Sequence, residues 1–91
     1  MKAGIIKMKI KSPEEYVRNY ARGCLEAFIN GGKYTKNKKA PSLNWLRGVI
    51  RESGVKIEEL RKIIKQLKDY SKSEEDRSRF EIIKDEFLKN D

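Results

Sequence analysis

The sequence predicts a mostly α fold: a small four-helix domain with a short N-terminal β-strand or extended arm. Three observations predict it. Apolar residues recur at three- and four-residue steps in four successive segments. Serine, proline and glycine punctuate the borders of those segments, where helix caps and stops belong. Residues 4–11 instead alternate from Ile6, with Ile6, Met8 and Ile10 on one side and Lys7, Lys9 and Lys11 on the other, which is the period of a half-buried strand. The organisation expected is an arm over 1–11 and a single helical domain over 12–91.

The arm has no convincing strand partner inside the chain. A short stretch at Lys33–Thr35 is one candidate, and the same strand of a second subunit across a two-fold axis is the other. The first helix is expected over 13–30. Ser12 and Glu15 form a capping box around Pro13 at the first helical position. Tyr16, Val17, Tyr20, Ala21, Cys24, Leu25, Phe28 and Ile29 make a wide apolar stripe, and Asn30-Gly31-Gly32 stops the helix. Cys24 lies within that stripe and is expected to be a small core residue. Residues 31–41 read as a loop or short hairpin. The second helix, 42–53, opens at Ser42 and ends at Ser53-Gly54. Leu43, Leu46, Val49 and Ile50 form its apolar face, and Trp45 at the edge of that face is expected in the core. The third helix is expected over 56–70, with Ile57, Leu60, Ile63, Ile64 and Leu67 inward and Glu58 poised to pair with Lys62. The fourth, 73–89, is capped by Ser73. The acidic run Glu74-Glu75-Asp76 complements its N-terminal dipole, Phe80, Ile83 and Phe87 are buried, and Arg77–Glu81 and Asp85–Lys89 are exposed pairs.

Composition excludes several chemistries. The 91 residues contain no histidine and one cysteine. His-ligated zinc, four-cysteine metal clusters, imidazole-assisted nucleophiles and a disulfide within the chain are therefore ruled out. Gly31-Gly32-Lys33 lacks the spacer and the following Ser/Thr of a phosphate-binding P-loop. No catalytic residue, metal ligand, cofactor or small-molecule substrate is expected, and the reading is non-enzymatic. No apolar run reaches the length of a membrane span and no secretory leader is visible, so no membrane association is expected and the expected location is cytoplasmic.

Charge is the strongest functional signal. The net charge is +8 and the pI about 9.7. Residues 1–48 hold eleven cationic side chains against three acids, whereas 49–91 hold eleven of each. Between Glu26 and Glu52 there is no acid at all. Lys33, Lys36, Lys38, Lys39, Arg47 and Arg51 fall in that gap, and Tyr34 offers a ring to stack. Cations, a flexible glycine-rich backbone and an aromatic ring suit a polyanion such as nucleic acid. These side chains are expected to form one basic face with part of Lys7, Lys9 and Lys11, uninterrupted by acids.

The second and third helices, joined through Gly54, resemble a helix-turn-helix. Val49, Val55, Leu60 and Ile63 fall at its apolar positions. Ser53 departs from it, since the motif takes an apolar residue there, and Ile50 stands where alanine is preferred. The resemblance implies that the third helix presents Lys56, Arg61, Lys62 and Lys65 to DNA. The strand-first pattern is also similar to ribbon-helix-helix dimers, but its eleven-residue loop is longer than the short turn those folds use. The functional expectation is a small basic nucleic-acid-binding protein, with DNA favoured over RNA, that acts as a homodimer or within a larger complex. The competing expectation is a helical accessory subunit of a nucleic-acid-processing assembly.

Overall fold

The computed structural model describes residues 13–34, 36 and 39–88. Four α-helices follow in order: α1 Pro13–Ile29, α2 Leu43–Ser53, α3 Ile57–Gln66 and α4 Glu74–Phe87, with a 3₁₀ turn at Leu67–Tyr70 between α3 and α4. No strand occurs among the described residues. The alternating arm, with Lys7, Lys9 and Lys11, lies outside them.

The caps explain the borders. Ser42 Oγ accepts from the Trp45 amide at 3.1 Å, and Ser73 Oγ accepts from the Asp76 amide at 3.0 Å. Each satisfies one of the amides that a helix start leaves open. Gly54 ends α2 in the left-handed region at φ 74°, where a side chain is disfavoured. The third helix stops earlier than its periodicity predicts. Its last turn tightens to 3₁₀, and the buried Ser71 hydroxyl donates to the Leu67 carbonyl at 3.1 Å, closing the segment.

α1 is the central element: α2, α3 and α4 all pack on it. α2 runs antiparallel to α1, with Glu52 and Ser53 beside Tyr16 and Tyr20. α3 runs parallel to it. Arg18 reaches Glu59 at 3.7 Å, Arg22 donates to Gln66 at 2.9 Å, and Asn30 Nδ2 donates to the Tyr70 hydroxyl at 3.4 Å. The core joins Ala21, Leu25, Phe28 and Ile29 of α1 with Leu46 and Ile50 of α2, then Leu60, Ile63, Ile64 and Leu67, and finally Phe80 and Ile83 of α4. Leu25 and Ile64 are fully enclosed, so truncating either to alanine costs about 2–5 kcal/mol.

Four residues expected inside lie outside. Trp45 is 40% exposed and Ile57 47%, and the N-terminal half of the α1 stripe is left open at Tyr16 and Tyr20. Three neighbouring helices cover only part of an apolar face that wide. Cys24 is half-buried against the core. The Asp85–Lys89 pair ends outside the described residues, and the Arg77–Glu81 pair differs. Arg77 donates to the Lys72 carbonyl at 3.0 Å instead of reaching Glu81, which pairs with Lys84 at 3.1 Å.

Candidate nucleic-acid interface

The loop between α1 and α2 is built from its ends inward. The buried Asn30 side chain accepts from the Gly32 amide at 2.8 Å, which is the local turn that asparagine supplies at a helix end. Gly31 and Gly32 then take φ values of 67° and 81°, where β-carbons are disfavoured. Gly32 also lies directly against the other limb of the loop. A β-carbon there would overlap the Lys39 carbonyl oxygen and come within 2.6 Å of its carbon. The loop is thus pinched shut at its base, backbone on backbone.

Arg79 of α4 locks the pinch. Its Nε donates to the Phe28 carbonyl, its Nη2 donates to the Pro41 carbonyl at 2.8 Å, and its guanidinium lies 4.2 Å from the centre of the Phe28 ring. One planar fork therefore holds the end of α1, the end of the loop and α4 together, a geometry lysine does not reproduce. Beyond the pinch, Lys33, Tyr34, Lys36 and Lys39 are exposed, and Tyr34 is 80% so. No hydrogen bond or ion pair engages these four side chains among the described residues. Lys38 lies outside the described residues.

The other candidate residues divide. Arg47 is engaged: its Nε and Nη2 donate to the two Glu86 oxygens at 2.8 and 3.0 Å, and its Nη1 to Asn44 at 3.0 Å. The paired carboxylate holds its guanidinium above even the usual arginine range. Arg47 is thus the α2–α4 strut, not a member of an open cationic face. Arg51 is exposed on α2. Lys56 sits at the N-cap of α3, at the far end of α2 from the loop, about 16 Å away at 1.5 Å of rise per residue. Lys62 and Lys65 are exposed on α3 and Arg61 is half-buried.

The acid-free face expected from the sequence is interrupted. A groove of about 620 Å³ runs between the loop base and the start of α4, and Lys33, Gly31 and Ala40 share it with Glu74, Glu75 and Asp76. The acids come from more than thirty residues downstream, so no local charge count registers them. They set negative charge against the side of the loop that faces α4.

α2 is followed by Gly54-Val55-Lys56 and then α3, which is the order, though not the packing, of a helix-turn-helix. Each helix packs chiefly on α1 rather than on the other. Ser53 has a use that an apolar residue could not fill. Its hydroxyl donates to the Ile50 carbonyl at 2.6 Å and accepts from the Val55 amide at 3.1 Å, which ties the turn.

Cys24 faces Tyr20. Burial pushes its thiol above the ordinary range, although the Tyr20 hydrogen bond pulls the other way. Among the described residues no group of three His, Cys, Asp or Glu side chains is placed to hold a metal ion. None of their helices is long and apolar enough to cross a membrane. The sequence marks Asn30 as part of the helix stop, but sequence reasoning missed Arg79, which bonds backbone carbonyls 51 and 38 residues away and leaves no trace in local pattern. No known family, curated protein or solved structure matches this chain.

Proposed function

We propose that the chain binds nucleic acid, duplex DNA foremost, through phosphate contacts made by the pinched loop. The observation that supports this most directly is the loop itself. Its base is fixed by the Gly32–Lys39 approach and the Arg79 fork, while Lys33, Lys36 and Lys39 stand exposed with Tyr34 on a chain of net charge +8. Cations held on a closed base lose less freedom on binding than the same cations on an open loop. In this reading Arg51 and Lys38 extend the contact, and α3 with Lys56, Arg61, Lys62 and Lys65 is the element that reaches toward a groove in the helix-turn-helix manner. The role is binding, not catalysis, and a cytoplasmic location fits it. The accessory-subunit reading is favoured by one separate observation, the exposed rings of Tyr16, Tyr20 and Trp45.

Salt-dependent binding tests the proposal. Four to five phosphate contacts give a slope of log affinity against log salt of roughly −4. Replacing Lys36, Lys38 and Lys39 with alanine should weaken binding to all sequences about equally and flatten that slope by up to ~3. Replacing Lys62 or Lys65 should alter sequence preference if α3 enters the groove. An intact protein with no salt-sensitive binding to DNA or RNA at low salt refutes the reading.

A further inference from the structure

An aromatic flank runs along the α1–α2 seam. Tyr16 is 69% exposed, Tyr20 45% and Trp45 40%. Tyr16, Tyr20 and Gly23 follow at helical spacing on one side of α1. Tyr16 and Tyr20 share a depression of about 280 Å³ with Glu52 and Ser53 of α2. Trp45 lies seven residues before Glu52 on the same side of α2, so it sits about 10 Å further along the seam. Because α2 is antiparallel to α1, that places its ring level with the third and fourth turns of α1. The three rings therefore form one row. Gly23 is exposed, and a β-carbon there would meet nothing within 4 Å, so a partner backbone has room to approach.

We propose that this flank is a self-association surface that takes a second copy of the chain. Charge argues for that occupant. Among the residues lining the depression with Tyr16 and Tyr20, Glu52 is the charged one, and it stands beside Tyr20. Among the described residues of this row a polyanion finds no cation. Two chains of +8 repel wherever lysines face each other, and they meet at least cost where none does. Area argues the same way. Three aromatic side chains this exposed offer on the order of 300 Å², a substantial part of the roughly 800 Å² per partner that a standard interface buries. Rings of this kind are the side chains that carry interface energy, and a two-fold axis sets the row against its own copy.

Trp45 is the single tryptophan, so its emission reports on the flank directly. On dilution of the full chain from ~100 µM to ~0.1 µM, light scattering should show the mass halve while the emission shifts to the red over the same range. Tyr16→Gln with Tyr20→Gln, both at exposed helical positions, should keep the helical circular dichroism and raise the dissociation constant at least tenfold. Tyr34→Ala, on the loop, should leave it unchanged. Added salt should leave association unchanged or strengthen it, because salt screens the repulsion between two cations, in contrast to the nucleic-acid affinity. A mass that stays monomeric at ~100 µM with a concentration-independent emission overturns the proposal, as does a dimer indifferent to the double tyrosine variant.

Discussion

Gly32→Ala is the most revealing perturbation of the loop, because its neighbour supplies the control. Gly31 and Gly32 have φ values of 67° and 81°, so alanine at either position meets the left-handed penalty of about 1–2 kcal/mol. At Gly31 nothing lies within 4 Å of the new β-carbon, and that penalty is the whole effect. At Gly32 the β-carbon also overlaps the Lys39 carbonyl oxygen and comes within 2.6 Å of the Lys39 carbon and 3.3 Å of the Ala40 nitrogen. These atoms are backbone and cannot swing aside, so the base of the loop must open. Opening it endangers the Gly32 amide's bonds to Asn30 Oδ1 at 2.8 Å and Ala27 O at 3.1 Å, worth about 1 kcal/mol each. The expected cost is therefore ~3–4 kcal/mol at Gly32 against ~1–2 at Gly31. A domain this size has roughly 5–13 kcal/mol in hand. Thermal unfolding should show Gly32→Ala lowered by at least ~10 °C, and well below Gly31→Ala. The same variant should weaken nucleic-acid binding without changing the salt slope, since no charge is lost. If the two alanine variants unfold within ~0.5 kcal/mol of each other, the backbone pinch does not exist in solution.

Arg79→Met, close in shape but without the fork, leaves the Phe28 and Pro41 carbonyls without their donor and should cost about 2–3 kcal/mol in urea unfolding, with Arg79→Lys recovering less than half of it. Glu74→Gln with Glu75→Gln, which leaves the Ser73 cap in place, removes two acids from the groove shared with Lys33 and should tighten DNA binding several-fold at ~0.1 M salt; unchanged affinity would show that the acids do not bound the site. Burial raises the Cys24 thiol above its ordinary range, so alkylation near pH 8 should be slower in the folded protein than in urea. The same shift sets the sign of a pH effect. The unfolded thiol ionises first, so the contribution is full below the ordinary thiol pKa and is lost as pH rises through the raised folded value. Cys24→Ala should remove that alkaline decline.

What the sequence disclosed, and what it hid, follows from the range of the forces involved. The four helices were readable because their signals are local. Ser42, Ser73, Gly54 and Asn30-Gly31-Gly32 act on backbone groups two to four residues away. The buried half of α1 was readable as well, since Leu25, Phe28 and Ile29 keep the helical period. The stripe could not say where its apolar width would outrun its neighbours. Tyr16, Tyr20 and Trp45 satisfy the same periodicity as the core and differ only in how far the other helices reach. Ion pairs were harder still. The expected pairs lay within one helix, whereas Arg47 found Glu86 39 residues away and Arg18 found Glu59. The acid-free gap from Glu26 to Glu52 was real in sequence, yet α4 carries Glu74, Glu75 and Asp76 back to its edge.

The two kinds of cation are used differently in this fold, and that bears on how it would read a nucleic acid. Arg18, Arg22, Arg47, Arg77 and Arg79 are all tied to carboxylates, an amide or backbone carbonyls. Their planar forks do structural work, holding α1 to α3, α2 to α4 and the loop to both. The exposed loop is instead furnished with lysines, which act as hydrated point charges on flexible stems. Bidentate reading of guanine edges is chiefly arginine chemistry. With Arg47 engaged by Glu86, Arg51 is the exposed arginine nearest the loop in sequence. A surface furnished this way favours contacts with phosphate over contacts with bases. Its affinity should follow salt closely and sequence weakly. Under the proposed reading, sequence preference would come from α3, whose exposed Lys62 and Lys65 a helix-turn-helix arrangement would direct at a groove.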